Sequence, residues 1–192
     1  MTSLIILAAG ESSRLGQPKQ NLIFNGKTLL QRAVESGQDS ECETIIVVLG
    51  ANSNEITPIP GTTTLYNPDW KEGMASSIKK AVLEINNDLS VDKVIIMLCD
   101  QPFVGAALLN SLISKYIETC KPIVACTYNE TTGVPVLFDH TLFNDLLLLQ
   151  GKDGAKKILK DHANDIATIP FEQGGIDIDT PEDYERLRGL ND

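Results

Sequence analysis

Leu4-Ile5-Ile6-Leu7-Ala8-Ala9-Gly10-Glu11-Ser12-Ser13-Arg14-Leu15-Gly16-Gln17-Pro18-Lys19 changes character abruptly at residue 8. Ser3 to Leu7 is a short apolar run with two β-branched isoleucines, the pattern of a strand buried on both faces of a parallel sheet. Ala8, Ala9 and Gly10 carry almost no side chain, so the backbone can turn sharply and a second molecule can reach its N–H groups. Ser12, Ser13, Arg14, Gly16 and Lys19 then add hydroxyls, two fixed cations and another permissive glycine. A buried strand feeding a small-residue turn with cations behind it outlines a phosphate cradle, because backbone N–H groups and Arg or Lys are what oxyanions need.

Beyond this stretch, strand-like and helix-like segments alternate. Thr28 and Gln31 suggest a capping box ahead of Leu29, Leu30, Ala33 and Val34, with Gly37 as the stop. Thr44 to Leu49 reads as a second buried strand and Thr62 to Tyr66 as a third. Gly73 to Ile85 has helical spacing, with Met74, Ile78, Ala81, Val82 and Ile85 on one face. Lys93 to Cys99 is a further buried strand. Ala106 to Glu118 is expected to be helical, Pro122 to Tyr128 and Val134 to Phe138 extended, Thr141 to Leu149 and Gly154 to His162 helical, and Ile166 to Phe171 a strand. Thr180, Pro181 and Asp183 cap a last helix. Strands separated by helices predict an α/β fold of three α/β/α layers on a mostly parallel sheet. No linker or repeat interrupts it, so a single domain over residues 1–192 is expected.

Composition narrows the partners. A formal net charge of -10 and a sequence pI near 4.6 disfavour nucleic acid and anionic membrane, so an anionic substrate must be held by local cations or a metal. The apolar N-terminal run is too short for a signal peptide, and no stretch approaches a membrane span, which predicts a cytoplasmic protein. Cys42, Cys99, Cys120 and Cys126 form no C-x-x-C pair and are expected to be reduced packing residues rather than zinc ligands.

In doubly wound sheets ligands bind beyond the carboxyl ends of the strands. Asp100, directly after Val94-Ile95-Ile96-Met97-Leu98-Cys99, is either a divalent-cation ligand beside phosphates or a helix cap. Asp177 and Asp179 alternate along a presumed strand and share a face, where bare repulsion is costly without a cation. Gly73 opens a helix whose first turn, with Ser76 and Ser77, suits a base or ribose.

Both widespread phosphate-loop motifs fail. Gly10 and Gly16 do not complete G-x-G-x-x-G, and Gly16 is followed by Gln17-Pro18 rather than by Lys and Ser or Thr. The stretch does fit L-x-A-G-x-S-x-R-[LM]-G-x-x-K, and there the chain resembles the MobA-like nucleotidyltransferases, in particular the molybdenum-cofactor cytidylyltransferases. Asn67-Pro68-Asp69-Trp70 through Gly73-Met74 to Ser77-Ile78 looks like a second segment of that family, N-P-x-W-x-x-G-[ML]-x-x-S-[IL]. Gly133-Val134-Pro135 and Gly151-Lys152-Asp153-Gly154-Ala155-Lys156 look like its acceptor-side segments, although Lys156 stands where Arg is common.

The resemblance implies a nucleotide-diphospho-sugar transferase (Rossmann-like) sheet and the transfer of CMP from CTP to a phosphorylated acceptor, molybdopterin above all, with Mg²⁺. It implies Arg14, Lys19 and Asp100 as catalytic. The nucleotide would be bound by Leu7, Ala8, Ala9, Gly10, Arg14, Lys19, Gly73, Ser76, Ser77 and Asp100. The metal would be held by Asp100 and Asp179, with Asp177 the fallback. Gln101, Gly133, Pro135, Asp153 and Lys156 would line the acceptor. Ala9 is implied to favour CTP, since relatives using GTP read Leu-Ala-Gly-Gly. A sugar- or polyol-phosphate acceptor, or a non-catalytic protein delivering a cofactor to a molybdoenzyme, are the alternatives.

Overall fold

The computed structural model describes residues 1–189. In chain order the elements are β1 (Thr2–Ala8), β2 (Ile23–Phe24), β3 (Lys27–Thr28), α1 (Leu29–Gln38), β4 (Thr44–Leu49), β5 (Thr63–Tyr66), α2 (Met74–Ile85), β6 (Lys93–Leu98), α3 (Ala106–Thr119), β7 (Ile123–Tyr128), β8 (Thr131–Asp139), α4 (Phe143–Leu148), α5 (Ala155–Asp161), β9 (Ile166–Pro170) and α6 (Pro181–Arg188). A seven-stranded sheet runs β5-β4-β1-β6-β8-β7-β9. β1 pairs in parallel with β4 and β6, and β8 alone runs antiparallel, between β6 and β7. The mostly parallel three-layer arrangement is the one the alternating segments predict.

Strand alternation builds the layers. Ile5 and Leu7 face α2, α4 and α5 through Ile78, Val82, Leu146 and Ile158. Leu4 and Ile6 face α1 and α3 through Leu30, Val34, Leu109 and Leu112. All of β1 is buried, which is why its sequence is apolar from Leu4 to Ala8, after the buried Thr2 and Ser3. A third cluster joins Leu15, Leu22 and Phe24 to Ile178 and Leu187. That cluster fixes the loop after β1 against the segment leading into α6, and Ile178, fully buried, anchors the two aspartates on either side of it.

Several local expectations need correction. α1 runs through Gly37, where a Cβ would stand 2.6 Å from Leu4 Cδ2 and 2.9 Å from Ile45 Cδ1, so this glycine admits the sheet rather than stopping the helix. Met74 is exposed, not on the buried face of α2. Residues 177–179 belong to no strand; the buried Ile178 fixes them instead. The hairpin of β2 and β3, which the sequence reading passed over, turns at Asn25-Gly26, whose φ angles of 53° and 78° suit a two-residue reverse turn. The four cysteines are free thiols, and no helix among the described residues is long and apolar enough to cross a membrane.

Candidate functional site

A cleft of about 460 Å³ opens at the carboxyl ends of β1 and β6, where the sheet topology places ligands. The turn after β1 forms one wall and the Trp70–Ser77 segment another. Lys19, Gln20, Asp100, Asp177 and Asp179 close the rest. Gly50 allows the walls to meet, since a Cβ there would lie 2.6 Å from Trp70 Cβ and 2.7 Å from the Ala9 carbonyl oxygen. The Lys71 ammonium lies 5.4 Å from the centre of the Trp70 ring.

Charge is concentrated at the end of β6. Lys19 Nζ donates to Asp100 Oδ2 at 2.6 Å and to Asp179 Oδ1 at 2.7 Å, and Arg14 donates to Asp179 Oδ2 at 2.8 Å. Burial alone would lower the Lys19 ammonium's pKa, but the two carboxylates outweigh it and hold that pKa well above the ordinary lysine value. The hydrogen bond from Lys19, with the charge of Arg14, holds Asp179 below the usual carboxylate range. Asp177 accepts no hydrogen bond among the described residues and is pushed up to about 6, first by burial and then by the charges of Asp100 and Asp179.

Asp100 Oδ1 is buried and unpartnered. Among the described residues no group of three or more His, Cys, Asp or Glu is arranged to hold a metal by itself, and Lys19 takes the space between Asp100 and Asp179. An unpaired carboxylate oxygen beside a second, repelled carboxylate nevertheless fits a divalent cation completed by phosphate oxygens, the coordination Mg²⁺ favours. The residues present therefore suit such a group only together with a phosphorylated ligand.

The sequence-predicted nucleotide residues mostly converge. Leu7, Ala8, Ala9, Gly10, Lys19, Gly73, Ser77 and Asp100 line the cleft. Arg14 reaches it only through Asp179, its side chain being largely exposed. Ser76 does not line it. Its hydroxyl donates to the Asp69 and Gly73 carbonyls and accepts from Asn67 Nδ2, on a neighbouring groove. Ser77 Oγ also accepts from Asn67, and the Ala75 N–H goes to the Gly151 carbonyl, so the first turn of α2 is less open than its sequence suggests. That last contact requires Gly73, at φ 117°, because a Cβ there would lie 2.3 Å from the same oxygen.

The acceptor-side residues are more scattered. Gln101 Nε2 donates to the Val134 and Gly174 carbonyls, tying β6 to β8. Gly133 and Pro135 are buried within β8, and Gly133 abuts the Tyr128 hydroxyl, where a Cβ would come within 2.2 Å. Asp153 accepts from the Gln150 N–H at 3.3 Å. Lys156 lines a separate groove with Thr131, Thr132 and Lys160, although its charge is felt at Asp177. Sequence reasoning did not single out Gln20, Glu11 and Lys71, which also line the cleft; no local pattern marks them.

Residues 4–166 match the MobA-like NTP transferase domain. The chain is 28% identical over 199 residues to nicotine blue oxidoreductase of Paenarthrobacter nicotinovorans, spanning 95% of this chain and 94% of that protein. It is 26% identical over 197 residues to purine catabolism protein PucB of Bacillus subtilis strain 168, spanning 96% and 94%. It is 25% identical over 186 residues to the molybdenum cofactor cytidylyltransferase of Escherichia coli K12, spanning 94% and 92%. Rv0371c of Mycobacterium tuberculosis H37Rv, in a crystal structure of its complex with manganese, has a TM-score of 0.82 at 25% identity over 98% of both chains.

Proposed function

The chain belongs to the MobA-like NTP transferase family, and we propose that this nucleotidyltransferase moves CMP from CTP to a phosphorylated pterin of the molybdopterin type, releasing pyrophosphate. The observation that carries this reading is the meeting of the small-residue turn, Lys19, Asp100 and Asp179 in one cleft. All 192 residues would act as one domain. It would work in the cytoplasm, passing its product to a molybdoenzyme or accessory protein.

In the proposed reaction an acceptor phosphate oxygen attacks the α-phosphorus of CTP in line, and the bond to the pyrophosphate oxygen breaks. Little covalent chemistry falls to the protein, so positioning and charge neutralisation dominate. The Ala8–Gly10 backbone would hold the nucleotide, while Lys19 and Arg14 neutralise the triphosphate and the leaving pyrophosphate. Lys19 would meet the phosphates with its third N–H, or with another freed from a carboxylate it now bridges. Asp100 and Asp179, or Asp177 in place of the latter, would hold Mg²⁺, which when bound supplies charge neutralisation between the phosphates. Gly73 and Ser77 would border the base and ribose, and Ala9 would restrict a purine. Ser76, facing its own groove, would support Asn67 instead.

A sugar- or polyol-phosphate acceptor is the second reading, favoured by the position of Lys156 outside the cleft and by its lack of an arginine's bidentate fork. Pyrophosphate release measured with CTP or GTP, Mg²⁺ or Mn²⁺, and molybdopterin or a polyol phosphate tests both. The expected result is turnover with CTP and the pterin. Tight nucleotide binding with no turnover on any acceptor would instead indicate a delivery protein.

A further inference from the structure

We propose that Gln20 is a positioning residue for the nucleotide: it turns the Ala8–Gly10 backbone so that N–H groups, not carbonyls, are presented to the substrate. The inference rests on the cleft being a nucleotide site. Gln20 has 0% exposure and sits in the 3-10 turn Lys19–Asn21 against the cleft. Its Nε2 donates to the Ala8 carbonyl at 2.6 Å. The next carbonyl, of Ala9, accepts from the Ala51 N–H at 3.1 Å.

A trans peptide is planar, and its C=O and N–H point in opposite directions. Tying back the carbonyls of Ala8 and Ala9 therefore fixes the N–H groups of Ala9 and Gly10 the other way. Outside the strand ladders, neither N–H donates to another backbone group among the described residues. Ala8 is the last residue paired to β4, so without Gln20 the Ala8–Ala9 peptide keeps only the fraying end of the ladder to hold it, and a carbonyl oxygen turned inward would repel a phosphate.

Two further observations separate this from ordinary core hydrogen bonding. Gln20 Oε1 is buried with no donor, a costly arrangement for a side chain kept only for stability. In addition, the Lys19 N–H donates to Ser12 Oγ at 3.1 Å. The turn that carries Lys19 is thus fastened to the loop at two points, Ala8 and Ser12, and Gln20 sets the ammonium and the backbone donors in one register.

Gln20→Met keeps the length and apolar volume but removes the donor. Mn·CTP and Mn·GTP are titrated calorimetrically into full-length wild type and variant, well below their melting temperatures. We expect the Kd for both nucleotides to rise about tenfold and the nucleotide KM with it. The kcat should stay within about twofold, because the contact is the same in the ground and transition states. The Ala9 and Gly10 amide resonances should lose their nucleotide-induced shifts. Unchanged Kd and amide shifts would overturn the proposal, however far the melting temperature fell. If Gln20→Met does not fold, Gln20→Asn, one methylene too short to reach Ala8, is read in the same way. A wild type that binds neither nucleotide overturns this proposal and the functional reading together. Weakened binding in the variant with no turnover on any acceptor in wild type upholds Gln20 and removes only the transfer reaction.

Discussion

At Lys19 one ammonium lies within 2.7 Å of carboxylates from two distant parts of the chain, which leaves it one N–H for a triphosphate unless it gives one of them up. Lys19→Gln keeps a donor for those carboxylates but loses the charge. We expect its turnover to fall by roughly a hundred- to a thousandfold, a larger effect than on nucleotide Kd, because the cation matters most as charge develops on the leaving pyrophosphate. An unchanged kcat would remove Lys19 from the reaction. Asp100→Asn and Asp179→Asn should each weaken metal-dependent CTP binding by calorimetry while leaving the melting curve cooperative; binding equal to wild type in both would return these residues to structural roles. Ala9→Gly should raise kcat/KM for GTP relative to CTP, within the range of about 1–3 kcal/mol that a methyl group can impose; no movement towards GTP would show that Ala9 does not set the base. The gathering of Ala9, Lys19 and Asp100 at one cleft was legible because each sits in a local pattern, at a turn or a strand end. The bridge from Lys19 to Asp100 and Asp179 was not, because it joins residues 81 and 160 positions apart.

Among the elements, β1, β4 and β6 could be read almost to the residue, since burial on both faces forces continuous apolar runs. The caps of α1 and α6 were equally readable, as Thr28 with Gln31 and Thr180 with Asp183 form complete capping boxes. Gly37 was misread because a glycine near a helix end looks the same whether it stops the helix or makes room for a sheet. Gly73 allows a direct test of the join between α2 and the 150–154 loop. Gly73→Ala should destabilise the fold by about 1–3 kcal/mol in urea unfolding, through its positive φ and the overlap with the Gly151 carbonyl; a loss within error would show that the loop moves aside. At the end of β8, Asp139 accepts from the Tyr116 hydroxyl and from the N–H and hydroxyl of Thr141. Burial pushes its carboxyl up, but those bonds hold it below the ordinary range. A carboxylate depressed in the folded state contributes stability that is present above its unfolded pKa and is lost as pH falls through its folded pKa. Asp139→Asn should therefore cost about 1–3 kcal/mol at pH 7, and the gap from wild type should narrow below about pH 4. A pH-independent difference would assign the loss to packing.

Over the whole molecule, the three layers bring the turn after β1, the end of β6 and the segment before α6 to one rim. The mostly parallel layering followed from the alternation of segments, but not the strand order or the antiparallel insertion of β8, because a buried apolar strand looks alike in either direction. The residues named for a nucleotide gather at this rim because most of them are clustered in sequence. Those named for an acceptor stay apart from it, because Gln101, Gly133 and Pro135 join the packing of β6 against β8 and Lys156 opens on a different groove. With a net charge of -10, the protein depends on a few local cations to hold an anionic substrate. The fate of the α-phosphate of CTP therefore bears most directly on the proposed transfer. With α-phosphate-labelled CTP, a divalent cation and molybdopterin, we expect the label to enter the pterin product while unlabelled pyrophosphate is released in equal amount. Label recovered only in CTP, or in CDP with the terminal phosphate moved to the acceptor, would contradict it.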